Sequence, residues 1–529
     1  PLVVLCVLKA SQPATRQAGR WAVAAGAGLA IQLCADVRMS AYTLMAVLAL
    51  VLGRLPAWLR GSGQRAAAGA VHRIRAVRVV LGALAVFLGL AACQWLPALV
   101  LLPDTTRWSL TLSDAGVWSL PWRYLSGAVL ADHGGFHEWM TYTGVAGLVF
   151  ASAGLWSFCR KPERRAGVGQ APARRWILGW LVGLAIFGAW FSLGQNGGLF
   201  QILWRIVPGL GLLRVPPRAW VLVTFATAVL AGFGVEAAIR LRAEGSARAG
   251  RWRRALLFGA SALPPTFALG YWLLYGELPL NLAMLGVVAP LAIGLCFTRH
   301  PRLGTEFLGV GAVLLVAADL VVADLTLIEG RPPEAVFSAG QEAADWMAAR
   351  SARVRIYSPS FSIPQHVAEE HGLQLAGGVD PLQLRAYADF LTQAASLRPR
   401  QGYSVTLPPL PEGSDVQTAL RDICPDPYLL GRLGVRYTVA AFPLACSGQS
   451  AGLSWQLEGR FGDAYIYRNQ EARPLTTTDA PMSVALADGS ELFRYKPWPV
   501  YAGWAVSSAT LIGLALWTLI RGRSGGVDG

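Results

Sequence analysis

Arg214 and Arg218 flank the tripeptide Val215-Pro216-Pro217. The prolines fix the backbone between them, and a guanidinium can grip phosphate oxygens with two parallel hydrogen bonds. The alternative is that both arginines anchor a helix end by reaching for lipid headgroups. A second polar group, Asp132, His133, His137 and Glu138, precedes an apolar run. It could supply a general base or a metal site, and a solvated loop is the other reading. Asp36 is a third candidate base, with a plain ion pair to Arg38 as its rival explanation. Asp319 and Asp324 lie within the apolar stretch 307–328. Carboxylates there are costly and face a cavity or a partner; Asp324 is nearer the edge, and the deeper Asp319 could serve packing through hydrogen bonds. No CxxC or HExxH spacing occurs, so no metal is signalled and no cofactor is required.

The elements that must position these residues are mostly apolar helices. The chain has 529 residues, 54% hydrophobic and 15% charged, with mean hydropathy +0.43. Soluble domains carry about 25% charged residues. Ten windows approach the roughly 20 apolar residues that span a bilayer: 21–35, 41–59, 77–102, 142–159, 176–193, 220–239, 255–275, 280–297, 307–328 and 500–520. The run 1–8 reads as the tail of another, and the chain is expected to lack its N-terminal part. Basic residues crowd alternate connectors, around Arg16, Arg65, Arg164, Arg251, Arg299 and Arg521. The facing short loops hold only Arg38, Arg107, Arg123, Arg205, Arg214 and Arg218. Lys and Arg concentrate on the cytoplasmic side, which puts the second set, and the candidate residues among them, outside.

Two outer loops are expected, 103–141 and 194–218. The second is apolar but broken by Gly and Pro, so it must pack on protein or line a cavity; a short helix is expected over Leu199–Ile206. The predicted organisation is therefore a polytopic α-helical membrane domain (1–328), a mixed α/β extracytoplasmic domain (329–495), then a last helix with a short cytoplasmic tail (496–529). Strands are predicted at 354–357, 374–376, 436–439 and 464–467, and helices at 341–350 and 381–397. The outer domain holds 14 Arg against 18 acidic residues. The net charge of +15 thus belongs to cytoplasmic connectors facing anionic lipid, and nucleic acid is excluded as a partner. Cys424 and Cys446 alone fall in the outer domain, where a disulfide and two free thiols are both open.

The stretch WFSLGQNGGLFQILWRIVPGLGLLRVPPRAWVLVTFATAVLAGFGVE, residues 190–236, resembles the YfhO-type bacterial membrane proteins. So do PWRYL at 121–125, followed by Glu138, Tyr142 and Gly144, and the segments 353–387, 429–439 and 464–475. Such proteins are similar to the GT-C class of integral membrane glycosyltransferases. The resemblance implies a plasma-membrane enzyme of a bacterium that moves a sugar from a polyprenyl-phosphate carrier to a cell-surface polymer or glycolipid acceptor. Under it, Arg214 and Arg218 would bind the lipid phosphate. Asp36, Asp132 or Glu138 would be the base, and Gln195, Asn196, His133 and His137 would contact sugar or acceptor. Asn196-Gly197-Gly198 also reads as a plain turn. A transporter or flippase of lipid-linked sugars, or a non-catalytic cell-envelope assembly protein, are the alternatives.

Overall fold

The computed structural model describes the chain except residues 11–16, 54–65, 132–135, 161–169, 244–263, 275, 277–278, 298–304, 326, 329, 351–352, 399–401, 411–412, 447–453, 475–482, 486–490, 495–496 and 525–529. The apolar helices in chain order are α1 (Leu2–Ala10), α2 (Ala18–Ala35), α3 (Val37–Leu52), α4 (Ala66–Leu90), α5 (Ala92–Leu101), α6 (Val145–Arg160), α7 (Gln170–Ser192), α8 (Leu199–Ile206), α9 (Trp220–Ala243), α10 (Leu280–Phe297) and α11 (Thr305–Leu325). Residues 264–274 are also helical. The chain folds as two compact units, Pro1–Ala91 with Ala115–Glu329, and Ala92–Asp114 with Gly330–Gly529.

It is a helical membrane protein with an α/β region, though not with ten demonstrable spans. Among the described residues four helical stretches, Arg175–Ser192, Pro216–Arg240, Glu306–Leu325 and Trp498–Thr518, are long and apolar enough to cross a bilayer. A fifth is reached if Val77–Leu90 and Ala92–Asp104 count as one interrupted span. The expected window 77–102 therefore breaks at Ala91, and its halves belong to different units. Val37–Leu52, Val145–Trp156 and Leu280–Cys296 are shorter apolar helices. Residues 255–263 and 275 of window 255–275, and window 41–59 beyond Gly53, lie outside the described residues.

In the first unit, α6 and α9 form the tightest pair. Small residues let the backbones meet. A Cβ on Gly234 would sit 1.8 Å from the Phe150 carbonyl oxygen, and one on Gly154 would sit 2.7 Å from the Leu230 oxygen. Gly232, two residues from Gly234, faces open space. Around this crossing Phe150, Leu181, Ala226 and Ala292 are fully buried. A one-residue link joins α2 to α3. Asp36 is extended (φ −154°, ψ 110°), and its side chain accepts from the Arg38 and Met39 amides, the arrangement of a helix N-cap.

Asp319 on α11 is 1% exposed, and it has a structural partner. It accepts from the Tyr142 hydroxyl and, at 2.9 Å, from the Ala146 amide. A carboxylate from a neighbouring helix thus satisfies one of the orphan amides at the start of α6, where it also meets the positive end of the helix dipole. Gly144 makes the approach possible: its φ is +86°, and a Cβ there would press on Leu320 and Asp319.

In the second unit, β1 (Val354–Tyr357), β2 (Leu373–Leu375), β5 (Val435–Ala440), β6 (Trp455–Phe461) and β7 (Ala464–Asn469) form one sheet in the order β2-β1-β5-β7-β6. The first three strands are parallel, and β7 and β6 add antiparallel. Two-stranded ribbons join β3 (Gly378–Val379) to β4 (Thr406–Leu407) and β8 (Ser483–Ala485) to β9 (Glu491–Arg494). Helices α12 (Gln341–Ala348) and α13 (Gln365–Glu370) pack on the face carrying Val354, Ile356 and Val439. Helices α14 (Arg385–Ala394) and α15 (Pro427–Arg432) cover the other face, with Tyr357, Val435 and Trp455. The helix expected from 381 begins later, at Arg385, because Asp380 is used in a turn, accepting from the Leu382 amide at 2.7 Å. Cys424 and Cys446 are joined by a disulfide.

The segment Ala92–Asp114 belongs to this unit for visible reasons. Helix α5 packs on α16 (Trp498–Ser524), where a Cβ on Gly503 would meet the Ala92 oxygen at 2.6 Å. The Cys93 amide bonds the Ser507 hydroxyl at 3.0 Å. Further on, Thr105 bridges Leu384, and the Tyr403 amide bonds Asp114 Oδ1 at 3.0 Å. Asp114 is therefore committed to the fold.

The glycine crossing yields a prediction. Gly234→Ala forces α6 and α9 apart and costs about 1–3 kcal/mol; Gly232→Ala is tolerated. Thermal unfolding of both variants in detergent, followed by tryptophan fluorescence, checks the contrast.

Candidate functional site

Helices α2 and α7 end, and α3, α6 and α9 begin, at one end of the first unit. The polar candidates gather there. Glu138 sits in a single 3-10 turn, His137–Trp139. Trp139 Nε1 donates to the Trp118 carbonyl at 2.9 Å, and the Phe136 ring packs edge-on against Trp118 at 5.1 Å. Thr141 Oγ1 then ties the loop to the Tyr124 carbonyl at 2.7 Å. Glu138 is thereby held toward Arg218, which grips it with Nε on Oε2 at 3.0 Å and Nη2 on Oε1. Their side chains are 12% and 24% exposed. Removing either partner of such a partly buried, two-pronged pair strands a charge, at a cost of about 2–5 kcal/mol.

The local sequence aims Arg218 with difficulty. Val215 has φ +64° and ψ 74°, and Trp118 has φ +57°. A β-branched residue in that region is strained, by roughly 1–3 kcal/mol. The strain is held by neighbours: the Val215 amide donates to the Ala115 carbonyl at 3.2 Å, and Leu120 N bonds the Ser192 carbonyl at 3.1 Å. Arg214, 7% exposed, lays its guanidinium over the Trp118 ring at 5.1 Å. The two prolines that follow start the short turn Pro216–Ala219 carrying Arg218.

A second pair stands beside the first. Arg38 grips Asp36 with Nε on Oδ1 at 3.0 Å and Nη2 on Oδ2 at 2.8 Å. That hydrogen bond pulls the Asp36 carboxyl down to about 2, although burial pushes it the other way. Arg38 also feels Glu138 directly as a charge. Four residues along α3, on the same face, Tyr42 lies within electrostatic reach of Arg218, Arg38, Glu138 and Asp36. Its ring packs edge-on against Phe191 at the end of α7, centroids 6.4 Å apart. Sequence reasoning missed Tyr42; the available signal was a tyrosine four residues after an unexpected arginine on an apolar helix.

The other candidates are distributed as follows. Asp132 and His133 lie outside the described residues. His137 points to solvent, 74% exposed, with Nε2 3.9 Å from Glu138 Oε1. Asn196 Nδ2 donates to the Leu120 carbonyl at 2.9 Å, and the Gln195 amide bonds Ser119 Oγ at 2.9 Å. These two tie the loop before α8 to the 115–120 segment. Helix α8 matches its expected bounds. Asp324 is exposed near the end of α11. Among the described residues no three His, Cys, Asp or Glu side chains cluster as metal ligands. An apolar groove of about 410 Å³ lies between α6 and α10, lined by Val129, Val145, Val149, Trp156, Leu285 and Ile293 among others.

No protein-family profile matches the chain, and no curated protein matches it. The class that fold and site define is a helical membrane protein with paired carboxylates and guanidiniums at one end of its helices.

A carboxylate held near 2 is a weak proton acceptor, which argues against Asp36 as the base. The Asp36 pair also sets a pH dependence. A free Asp titrates near ~3.9, so the stabilisation from Asp36 is complete above that value and fades as pH falls through about 2. Asp36→Asn keeps one acceptor and loses the charge. Its melting temperature falls below wild type at pH 6, and the gap closes toward pH 2, as differential scanning fluorimetry would record.

Proposed function

We propose that the chain is a GT-C-like glycosyltransferase of a bacterial plasma membrane, moving a sugar from a polyprenyl-phosphate carrier to a cell-surface acceptor. The observation that carries the reading is the Glu138–Arg218 clamp, in which a candidate base and a candidate phosphate ligand occupy each other. An arriving phosphate ester competes for Arg218 and frees Glu138. The acceptor hydroxyl then attacks the anomeric carbon and hands its proton to Glu138. The bond from that carbon to the phosphate oxygen breaks, and its electron pair leaves with the phosphate, beside the Arg218 and Arg38 charges. The apolar groove offers room for part of the isoprenoid tail. Asn196 and Gln195 keep the roof of the site in register through Ser119 and Leu120. The disulfide supports placing the α/β region on the non-cytoplasmic side, where such bonds persist.

Glu138→Gln keeps the shape of the side chain and removes the base. In proteoliposomes supplied with a panel of labelled polyprenyl-phosphate sugars and an envelope extract as acceptor, turnover falls about 10²–10⁴-fold while the protein stays monodisperse. Wild-type turnover by that variant would reject Glu138 as the base. Passage of intact labelled lipid across the vesicle, with no bond broken, would favour the flippase instead.

A further inference from the structure

One polar group near the clamp has no structural occupation. Tyr42 is 2% exposed, and its ring is fixed against Phe191. Its hydroxyl makes no hydrogen bond among the described residues, unlike Tyr142, whose hydroxyl is spent on Asp319. The Tyr42 oxygen is also absent from the sealed, unsatisfied polar atoms, which are Thr106 Oγ1, Trp204 Nε1, Trp220 Nε1, Gln383 Oε1 and Thr438 Oγ1. It therefore keeps access to space outside the core. A phenol held in an apolar bundle with no partner loses the hydrogen bonds it had in water; phenylalanine would fill the same space without that cost.

Its surroundings identify the missing partner by charge. Arg38 and Tyr42 share one face of α3, and Ser192, next to the Phe191 that holds the ring, reaches the Pro217 carbonyl beside Arg218 at 3.4 Å. Both guanidiniums thus lie within electrostatic reach of the Tyr42 hydroxyl, Arg38 from α3 and Arg218 from the turn Pro216–Ala219. In the resting protein two carboxylates engage the guanidiniums and leave the hydroxyl out. A planar carboxylate offers two acceptor oxygens, and Arg218 uses both on Glu138. A phosphate monoester is tetrahedral and offers a third, as the carrier phosphate does once the sugar has left it.

We propose that the Tyr42 hydroxyl donates a hydrogen bond to the phosphate group that Arg38 and Arg218 take up, making a three-donor site selective for phosphate esters. This rests on the phosphate reading of the clamp and adds the residue that distinguishes a phosphate from the resident carboxylate. The shared chemistry is a terminal phosphate with three free oxygens, whether on a prenyl chain, on an ordinary lipid or free.

The test uses the full chain in detergent, with farnesyl phosphate, dioleoyl phosphatidic acid, inorganic phosphate and farnesol as separate probes, read by microscale thermophoresis. Tyr42→Phe removes one oxygen from a ring that stays packed. It weakens phosphate-bearing probes about tenfold, leaves farnesol unchanged and does not lower the melting temperature. The same loss on phosphatidic acid in place of farnesyl phosphate also upholds the contact and identifies an ordinary headgroup as its source. A 3-fluorotyrosine label at position 42 gives a second readout without disturbing the fold: its fluorine resonance moves when farnesyl phosphate is added. Unchanged affinity in Tyr42→Phe, with affinity lost in Arg218→Ala, overturns the Tyr42 contact and spares the phosphate reading. An equal loss on farnesol overturns the contact as well. Failure of every phosphate-bearing probe on the wild-type chain overturns both.

Discussion

A two-pronged ion pair between residues eighty positions apart, Glu138 and Arg218, organises one end of the first unit. A guanidinium satisfied on one edge by a carboxylate is pinned in plane and direction. The loop that brings Glu138 must then close over Trp118, and the turn that brings Arg218 must accept a left-handed Val215. Neither conformation is favourable alone. The 115–120 segment ties the surroundings together: Val215 bonds Ala115, Leu120 bonds Ser192, and Asn196 bonds Leu120. Strain of this kind persists only where surrounding contacts over-determine it, and it concentrates at sites that bind or react.

Beneath that end, the bundle solves a different problem. Orphan amides cannot be left bare away from water, so Asp319 crosses from α11 to cap α6, and Asp36 caps α3. Two acidic residues that look alike in an apolar sequence therefore do different work. Asp319 is consumed by a helix start and a tyrosine, and Asp36 by a helix start and an arginine. Glu138 is held by side-chain bonds from a single residue, one that an anion could draw away. That difference in partners, rather than depth or composition, sets Glu138 apart from the two capping carboxylates.

Much of the architecture was legible in the residues. The apolar windows at 176–193, 220–239, 280–297 and 307–328 fall on helices, because uninterrupted apolar runs leave the backbone no other way to satisfy itself. Four strands were placed to within two residues, each an apolar or aromatic run beside turn residues. Strand β6 was missed because Trp455–Phe461 carries Gln, Glu, Gly and Arg on a sheet edge, and edge strands need only half an apolar pattern. The break at Ala91 was illegible, since no Gly or Pro occupies that position and the packing of α5 on α16 joins segments 414 residues apart at Cys93 and Ser507. In the site, Arg218 could be singled out as an arginine in a connector poor in basic residues, and Glu138 as part of a dense polar group before an apolar run. Their pairing could not, since nothing local in either segment encodes the other. Tyr42 was hidden in an apolar helix where a tyrosine reads as core.

Opening of the clamp by an arriving phosphate would be visible in a cryo-electron microscopy map of the full chain in lipid nanodiscs, collected with and without farnesyl phosphate. Density for a tetrahedral group is expected between Arg218 and the Arg38–Tyr42 face of α3, with the Glu138 side chain turned away from Arg218. An unbroken Glu138–Arg218 pair, with the phosphate bound elsewhere or not at all, would contradict it.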